Sequence, residues 1–241
     1  MQPKPQDALV LFDIDGTLVR KAGPHHRQAL VEAVRETLRI ETTTENVPVQ
    51  GMLDRDILAE MLRQAGVSQA AIRRHMPELV RRAQTIYTRE CPDLRRRVCP
   101  GARNLLWRLH LRGVPMGLVT GNLTAIGWMK MERAGLKRYF RFGAFAELSR
   151  DRAGLVRLAV REARRNGWIG RDTSVSLIGD HPNDVRAART NGVRAVAVAT
   201  GIATAAELAA ECPDVLVPDL RSLSIDTLMR AKDGRQMRYP A

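Results

Sequence analysis

Ala8-Leu9-Val10-Leu11-Phe12-Asp13-Ile14-Asp15-Gly16-Thr17 is the stretch that decides the fold of this 241-residue chain. Its five apolar residues form a short, unbroken run, the pattern of a strand buried on both faces of a parallel sheet. Two carboxylates follow at once, then an Asp-Gly pair able to close a turn. Comparable apolar runs recur at Met116-Gly117-Leu118-Val119, Val175-Ser176-Leu177-Ile178, 193–198 and Val215-Leu216-Val217. Helical patterns at about 124–134, 153–166, 184–191, 204–211 and 221–230 separate the later runs. Strands alternating with helices predict an α/β chain built on a doubly wound, Rossmann-like parallel sheet.

One stretch breaks the alternation. Between about 24 and 92 only helical periodicity occurs: Leu30, Val31, Val34 and Leu38, then Ile57, Leu58, Met61 and Leu62, then Ile72 through Ile86. The expected organisation is an α/β core of residues 1–20 and 95–241, with a small all-helical domain, residues 21–94, inserted after the first strand.

Composition narrows the function classes. The net charge is +13, and only five of the 39 basic residues are lysine: Lys4, Lys21, Lys130, Lys137 and Lys232. The arginines spread over every expected helix, and aromatics make up 4%. Nucleic-acid binders gather charge into a stripe and interleave aromatic rings, so nucleic acid is not the expected partner. The same charge would steer a small anionic substrate inward. No apolar run approaches the ~18 residues of a membrane span. Cys91, Cys99 and Cys212 form no Cys-x-x-Cys pair, and Met1-Gln2-Pro3-Lys4-Pro5 lacks a signal-like apolar stretch, so the expected location is cytoplasmic.

Each strong polar cluster follows an expected strand, where open parallel sheets place their sites. Asp13 and Asp15, two apart on an extended chain, share a face and could flank one phosphate as nucleophile and acid/base; the alternative is an Asx-turn. Thr120-Gly121-Asn122 offers a hydroxyl and an unobstructed backbone N–H before a helix start, or else a capping turn. Gly179-Asp180-His181-Pro182-Asn183-Asp184 supplies two hard oxygen ligands suited to Mg²⁺, although Asp184 also suits a first helical turn.

Asp13-x-Asp15-Gly16-Thr17, Thr120-Gly121-Asn122 and Gly179-Asp180-x-x-Asn183-Asp184 resemble motifs I, II and IV of the haloacid dehalogenase superfamily, and most of all its phosphoglycolate phosphatase-like hydrolases. The resemblance implies that the helical insert is a cap and that Asp13 attacks phosphorus. It further implies that Asp15 is the general acid/base and that Thr120, Gly121 and Asn122 seat the phosphate. Mg²⁺ is implied on Asp13, the Asp15 carbonyl, Asp180 and Asp184, with a small phosphorylated metabolite as substrate and no membrane partner. One departure stands out: such proteins carry a lysine (motif III) before the motif IV strand, and none lies between Lys137 and Lys232. Arg150 and Arg152 are the cations there, and Arg152 matches the spacing better.

His25 and His26 are expected to be solvated, and His181 to line the entrance. Arg20, Lys21 and Arg55 are candidates for a remote anionic group of the substrate. A phosphosugar mutase of the same superfamily would keep all four carboxylates, and an arginine-rich binding protein for nucleic acid or a protein partner is the reading from a different class. Haloacid dehalogenation needs neither Asp15 nor a Mg²⁺ site.

Overall fold

The computed structural model describes residues 6–20 and 23–230. Its centre is β1 (Gln6–Phe12), whose residues Ala8 to Phe12 are entirely buried. Each Leu, Val or Phe hidden there contributes about 1.5–3 kcal/mol by leaving water. β1 pairs in parallel with β2 (Met116–Val119) on one side and β4 (Ile169–Gly179) on the other. β3 (Phe142–Ala144), β5 (Arg194–Val198) and β6 (Val215–Val217) complete a six-stranded sheet ordered β3-β2-β1-β4-β5-β6. The strand order reverses between β1 and β4, the point at which such sheets open a crevice for ligands.

Between β1 and the rest of the sheet run α1 (His25–Leu38), α2 (Asp54–Gln64) and α3 (Gln69–Glu90). Their apolar stripes face one another: Leu30 and Val34 on α1, Leu58 and Leu62 on α2, Leu79 and Ala83 on α3 are buried. The chain returns through α4 (Ala102–Leu111) to β2, and α5 (Thr124–Arg133) follows. α6 (Arg152–Arg165), α7 (Pro182–Thr190), α8 (Ala205–Ala210) and α9 (Ile225–Met229) connect or follow the remaining strands.

Three details differ from the expectation. β3 went unforeseen because Phe-Gly-Ala is too short to show as an apolar run. β4 begins six residues earlier than its apolar run, at Ile169, because Ile169 pairs with Gln6 and residues 170–173 bulge out before pairing resumes between Ser174 and Ala8. The last helix covers only Ile225–Met229, not 221–230. Asp219 accepts from the Arg221 N–H and guanidinium and holds that segment as a turn. Among the described residues no helix is long and apolar enough to cross a membrane.

Candidate active site

Strand register assembles the site. Phe12 lies beside Leu118 on β2 and Ile178 on β4, so the residues after each strand emerge side by side. The Asp13 N–H donates to the Ile178 carbonyl at 2.9 Å, locking the first carboxylate next to Asp180. Carboxylate oxygens of Asp13, Asp180 and Asp184 all lie within 4.8 Å of one another, and all three residues are buried. Gly16, at φ +81°, turns the chain away from this cluster. A Cβ there would sit 2.1 Å from Asp180 Oδ2, so only glycine allows the close approach.

Three buried carboxylates repel one another unless cations intervene. Burial, and then the neighbouring charges of Asp13 and Asp184, push Asp180 well above the usual carboxylate range. Burial raises Asp13 to about 7 against the pull of Arg152, with Asp184 and Asp15 adding to the rise. Burial likewise raises Asp184, opposed by Arg152.

Arg152 opens α6 and is buried, whereas Arg150 is exposed. Its Nε donates to Asp184 Oδ1 at 2.5 Å, and its Nη2 lies 2.7 Å from Asp13 Oδ1. That second contact is an ion pair without hydrogen-bond alignment, since buried Asp13 Oδ1 has no hydrogen-bond partner. A guanidinium fork reaches two separate carboxylates through different nitrogens, whereas the donors of an ammonium all radiate from one point.

These residues fit a divalent cation. Asp13 Oδ1 is a buried, unsatisfied acceptor, and the convergent donors are all hard oxygens, as Mg²⁺ requires. Asp180 keeps Oδ2 for such an ion, because Thr17 Oγ1 donates to its Oδ1 at 2.9 Å. Asp184 is already engaged at both oxygens, by Arg152 and by the His181 N–H at 3.2 Å, which suits an orienting role.

On the other side, Thr120 and Asn122 sit at the end of β2, both buried. The Thr120 hydroxyl accepts from Asn122 Nδ2 at 2.7 Å and from the Asn122 N–H at 3.3 Å, so its own proton is the part left to donate. Thr120, Gly121 and Asn122 stand just ahead of α5 as expected, but the helix itself offers little beyond them. Its first N–H groups are taken by the protein: Leu123 by Asp54, Thr124 by Glu147 and Ala125 by Gln84. Asn122 is also turned inward, donating to Asp15 Oδ2 at 2.7 Å. Gly121 gives its missing Cβ space to the Met52 carbonyl, which would lie 2.3 Å from such an atom.

Sequence reading missed Lys130, His26 and Asp54. Lys130 is 1% exposed, its Nζ 2.7 and 2.6 Å from the two Asp15 oxygens and 2.6 Å from Asn122 Oδ1. It also stands 3.1 Å from His26 Nδ1. An ammonium cannot accept, so His26 Nδ1 must, leaving Nε2–H to donate to Asp54 Oδ2 at 2.9 Å. His26 is therefore not the solvated histidine expected, because α1 turns that face inward. The signal was a lysine on the apolar face of α5, four residues after buried Ile126 and next to buried Met131. Burial works to raise the Asp15 carboxyl, yet the Lys130 charge and the hydrogen bonds from Lys130 and Asn122 hold it below the usual range.

A cavity of about 530 Å³ joins these groups, with Asp13, Asp15, Thr120, Lys130, Arg152 and Asp180 in its wall. Arg20 and His181 also line it; Arg55 instead lies near the Glu147 carbonyl, at 3.5 Å, and Lys21 falls outside the described residues. His181 caps α7 and packs beside Gly51, whose carbonyl accepts from Asn183 Nδ2 at 2.8 Å. The helical insert thus closes over the site through the 51–54 loop.

Residues 10–198 match the family described as haloacid dehalogenase-like hydrolase. A phosphoglycolate phosphatase of Pseudomonas fluorescens is 30% identical over 226 residues, covering 89% of this chain and 78% of that protein. One from Agrobacterium fabrum is 27% identical over 236 residues, covering 93% and 94%. Among solved structures, CbbY of Rhodobacter sphaeroides in complex with phosphate superposes with a TM-score of 0.71 at 20% identity, covering 92% of this chain and 99% of that one. A β-phosphoglucomutase of Clostridium difficile gives 0.66 at 17%, covering 92% and 95%. At such identities the structural likeness speaks for the fold.

Proposed function

Because the chain belongs to the haloacid dehalogenase-like hydrolase family, we propose that it is a Mg²⁺-dependent phosphatase that hydrolyses small phosphate monoesters through an aspartyl-phosphate on Asp13. The observation that carries this reading is buried Asp13 Oδ1, which lacks a hydrogen-bond donor while it faces Arg152 at the wall of the cavity. Residues 21–94 act as the cap and 1–20 with 95–241 as the core.

The chain's own groups divide the work. An Asp13 carboxylate oxygen forms the bond to phosphorus as the ester P–O bond breaks. For that step Asp15 must first take up a proton against the pull of Lys130, and it then gives that proton to the departing alkoxide oxygen. As a carboxylate again, it takes a proton from the water that cleaves the aspartyl-phosphate. Thr120 Oγ1 donates to a phosphate oxygen, and Arg152 offsets negative charge between Asp13 and the phosphate. Asp13, Asp180 and the Asp15 carbonyl would hold Mg²⁺, oriented by Asp184, and the ion would supply the remaining charge neutralisation. The helices of the insert exclude water and bound substrate size.

The relatives' names make phosphoglycolate the first compound to assay, and Arg20 and Arg27 at the cavity wall suit a second anionic group. The test is phosphate release from a panel of small monoesters, with chelation and Mg²⁺ add-back, and with Asp13→Asn. Metal-dependent release abolished by Asp13→Asn is expected. Turnover surviving either treatment would overturn the mechanism.

A further inference from the structure

Lys130 is the most deeply buried cation described in the chain and the point where three helices of the insert meet the core. Its ammonium takes both Asp15 oxygens and Asn122 Oδ1 from the core. From the insert come His26 of α1 at 3.1 Å and the Tyr87 ring of α3, whose centre is 5.9 Å away. His26 in turn reaches Asp54 at the start of α2, 2.9 Å away, and Asp54 Oδ2 accepts the Leu123 N–H at 2.9 Å. Tyr87 and His26 stack edge to face at 5.6 Å, closing the box. The Asp54 N–H completes the circuit by donating to the Gly121 carbonyl at 2.8 Å.

A lysine in this arginine-rich chain has a physical reason here. A compact ammonium serves converging acceptors from one point, whereas a planar guanidinium of larger span would not fit between Asp15, Asn122 and His26. Burying an ammonium costs several kcal/mol unless its protons are satisfied, so the arrangement persists only as a whole. The geometry also distinguishes the two oxygens of Asp15. Oδ2 receives both Lys130 and Asn122, while Oδ1 receives Lys130 alone. Oδ1 therefore keeps a lone pair for a proton in transit.

Resting on the phosphatase reading above, we propose that Lys130 is a positioning residue: through His26 and Asp54 it ties the seated insert to the placement of Asp15, and it aims Asp15 Oδ1 at the leaving-group oxygen. Its role is exerted through Asp15. Without it, Asp15 is held by Asn122 alone and swings in a half-open setting. Placement within about hydrogen-bond reach is what gives an acid its effect, about 10²–10⁴-fold in rate.

That mechanism has a readout a merely structural lysine would not move. A poor leaving group, an alkoxide, needs the proton from Asp15, whereas p-nitrophenolate departs without it. Lys130→Met keeps the volume and removes the charge. Measured as kcat/KM, which reports steps through the first phosphoryl transfer, it should cost an alkyl phosphate about 10²-fold more than p-nitrophenyl phosphate. In an Asp15→Asn background the same change should cost less than about twofold on the aryl ester, because the partner is already lost. Equal losses on both esters, no loss on either, or a full additional loss in the Asp15→Asn background would each overturn the proposal. If Lys130→Met shows no cooperative melt, Lys130→Gln, which retains a donor, is read by the same criteria. Wild-type protein releasing phosphate from neither ester would instead sink the phosphatase reading.

Discussion

Asp13→Asn should stabilise the metal-free protein, and the gain should depend on pH. Asp13 is buried, and burial, set against the pull of Arg152 and joined by the charges of Asp184 and Asp15, raises its carboxyl from 3.8 to about 7. A raised carboxyl binds its proton more tightly in the folded state than in the unfolded chain. Stability therefore falls as pH climbs through the interval between those two values and stays low above it. The loss amounts to about 1 kcal/mol at pH ~4.5 and about 4 kcal/mol at pH ~8. Asparagine has the same shape without the charge, and Arg152 keeps its bond to Asp184 at 2.5 Å. For a domain of this size those energies correspond to a melting-temperature gain of roughly 3 °C at the lower pH and roughly 10 °C at the higher. The assay is a thermal melt of chelator-treated wild type and Asp13→Asn across that pH range, repeated with Mg²⁺. The ion should raise the wild-type melt and narrow the gap. A gap that stays constant with pH, or a variant less stable at pH ~8, would refute the reasoning.

Arg152→Ala removes the cation paired with Asp13 and Asp184; kcat should fall by about 10²–10³, and near-normal turnover would return the role to Arg150 or to no residue. Arg152→Lys should recover only part of the loss, because one ammonium cannot span both carboxylates as the fork does at 2.5 and 2.7 Å. Gly121→Ala would place a Cβ 2.3 Å from the Met52 carbonyl and push the 51–54 loop off the core. It should lower stability by about 1–3 kcal/mol and raise KM, and an unchanged melt would show that the loop yields without cost.

Much of this protein was written in local sequence. The unbroken run Ala8 to Phe12 specifies a strand buried on both faces, and Asp13, Asp15 and Asp180 lie where strands end. Short-range pattern is enough for these, because burial of a strand and the turn after it are decided by neighbours a few residues away. The spacing of Arg152 before an apolar helix was likewise legible, and the structure sets it between Asp13 and Asp184 and leaves Arg150 at the surface.

Tertiary structure alone decided the rest. β3, three residues long, exists because β2 offers it an edge. The first N–H groups of α5 are taken by Asp54, Glu147 and Gln84, from 69, 23 and 41 residues away in sequence. Lys130 lies 115 residues from Asp15 and 104 from His26. Nothing in a window around any one of these residues shows that their charges will meet, since a buried ammonium is stable only when distant acceptors arrive together. Sequence singled out Asp13 and Asp15; only folding brings the Lys130 ammonium to 2.6 Å from the Asp15 carboxylate.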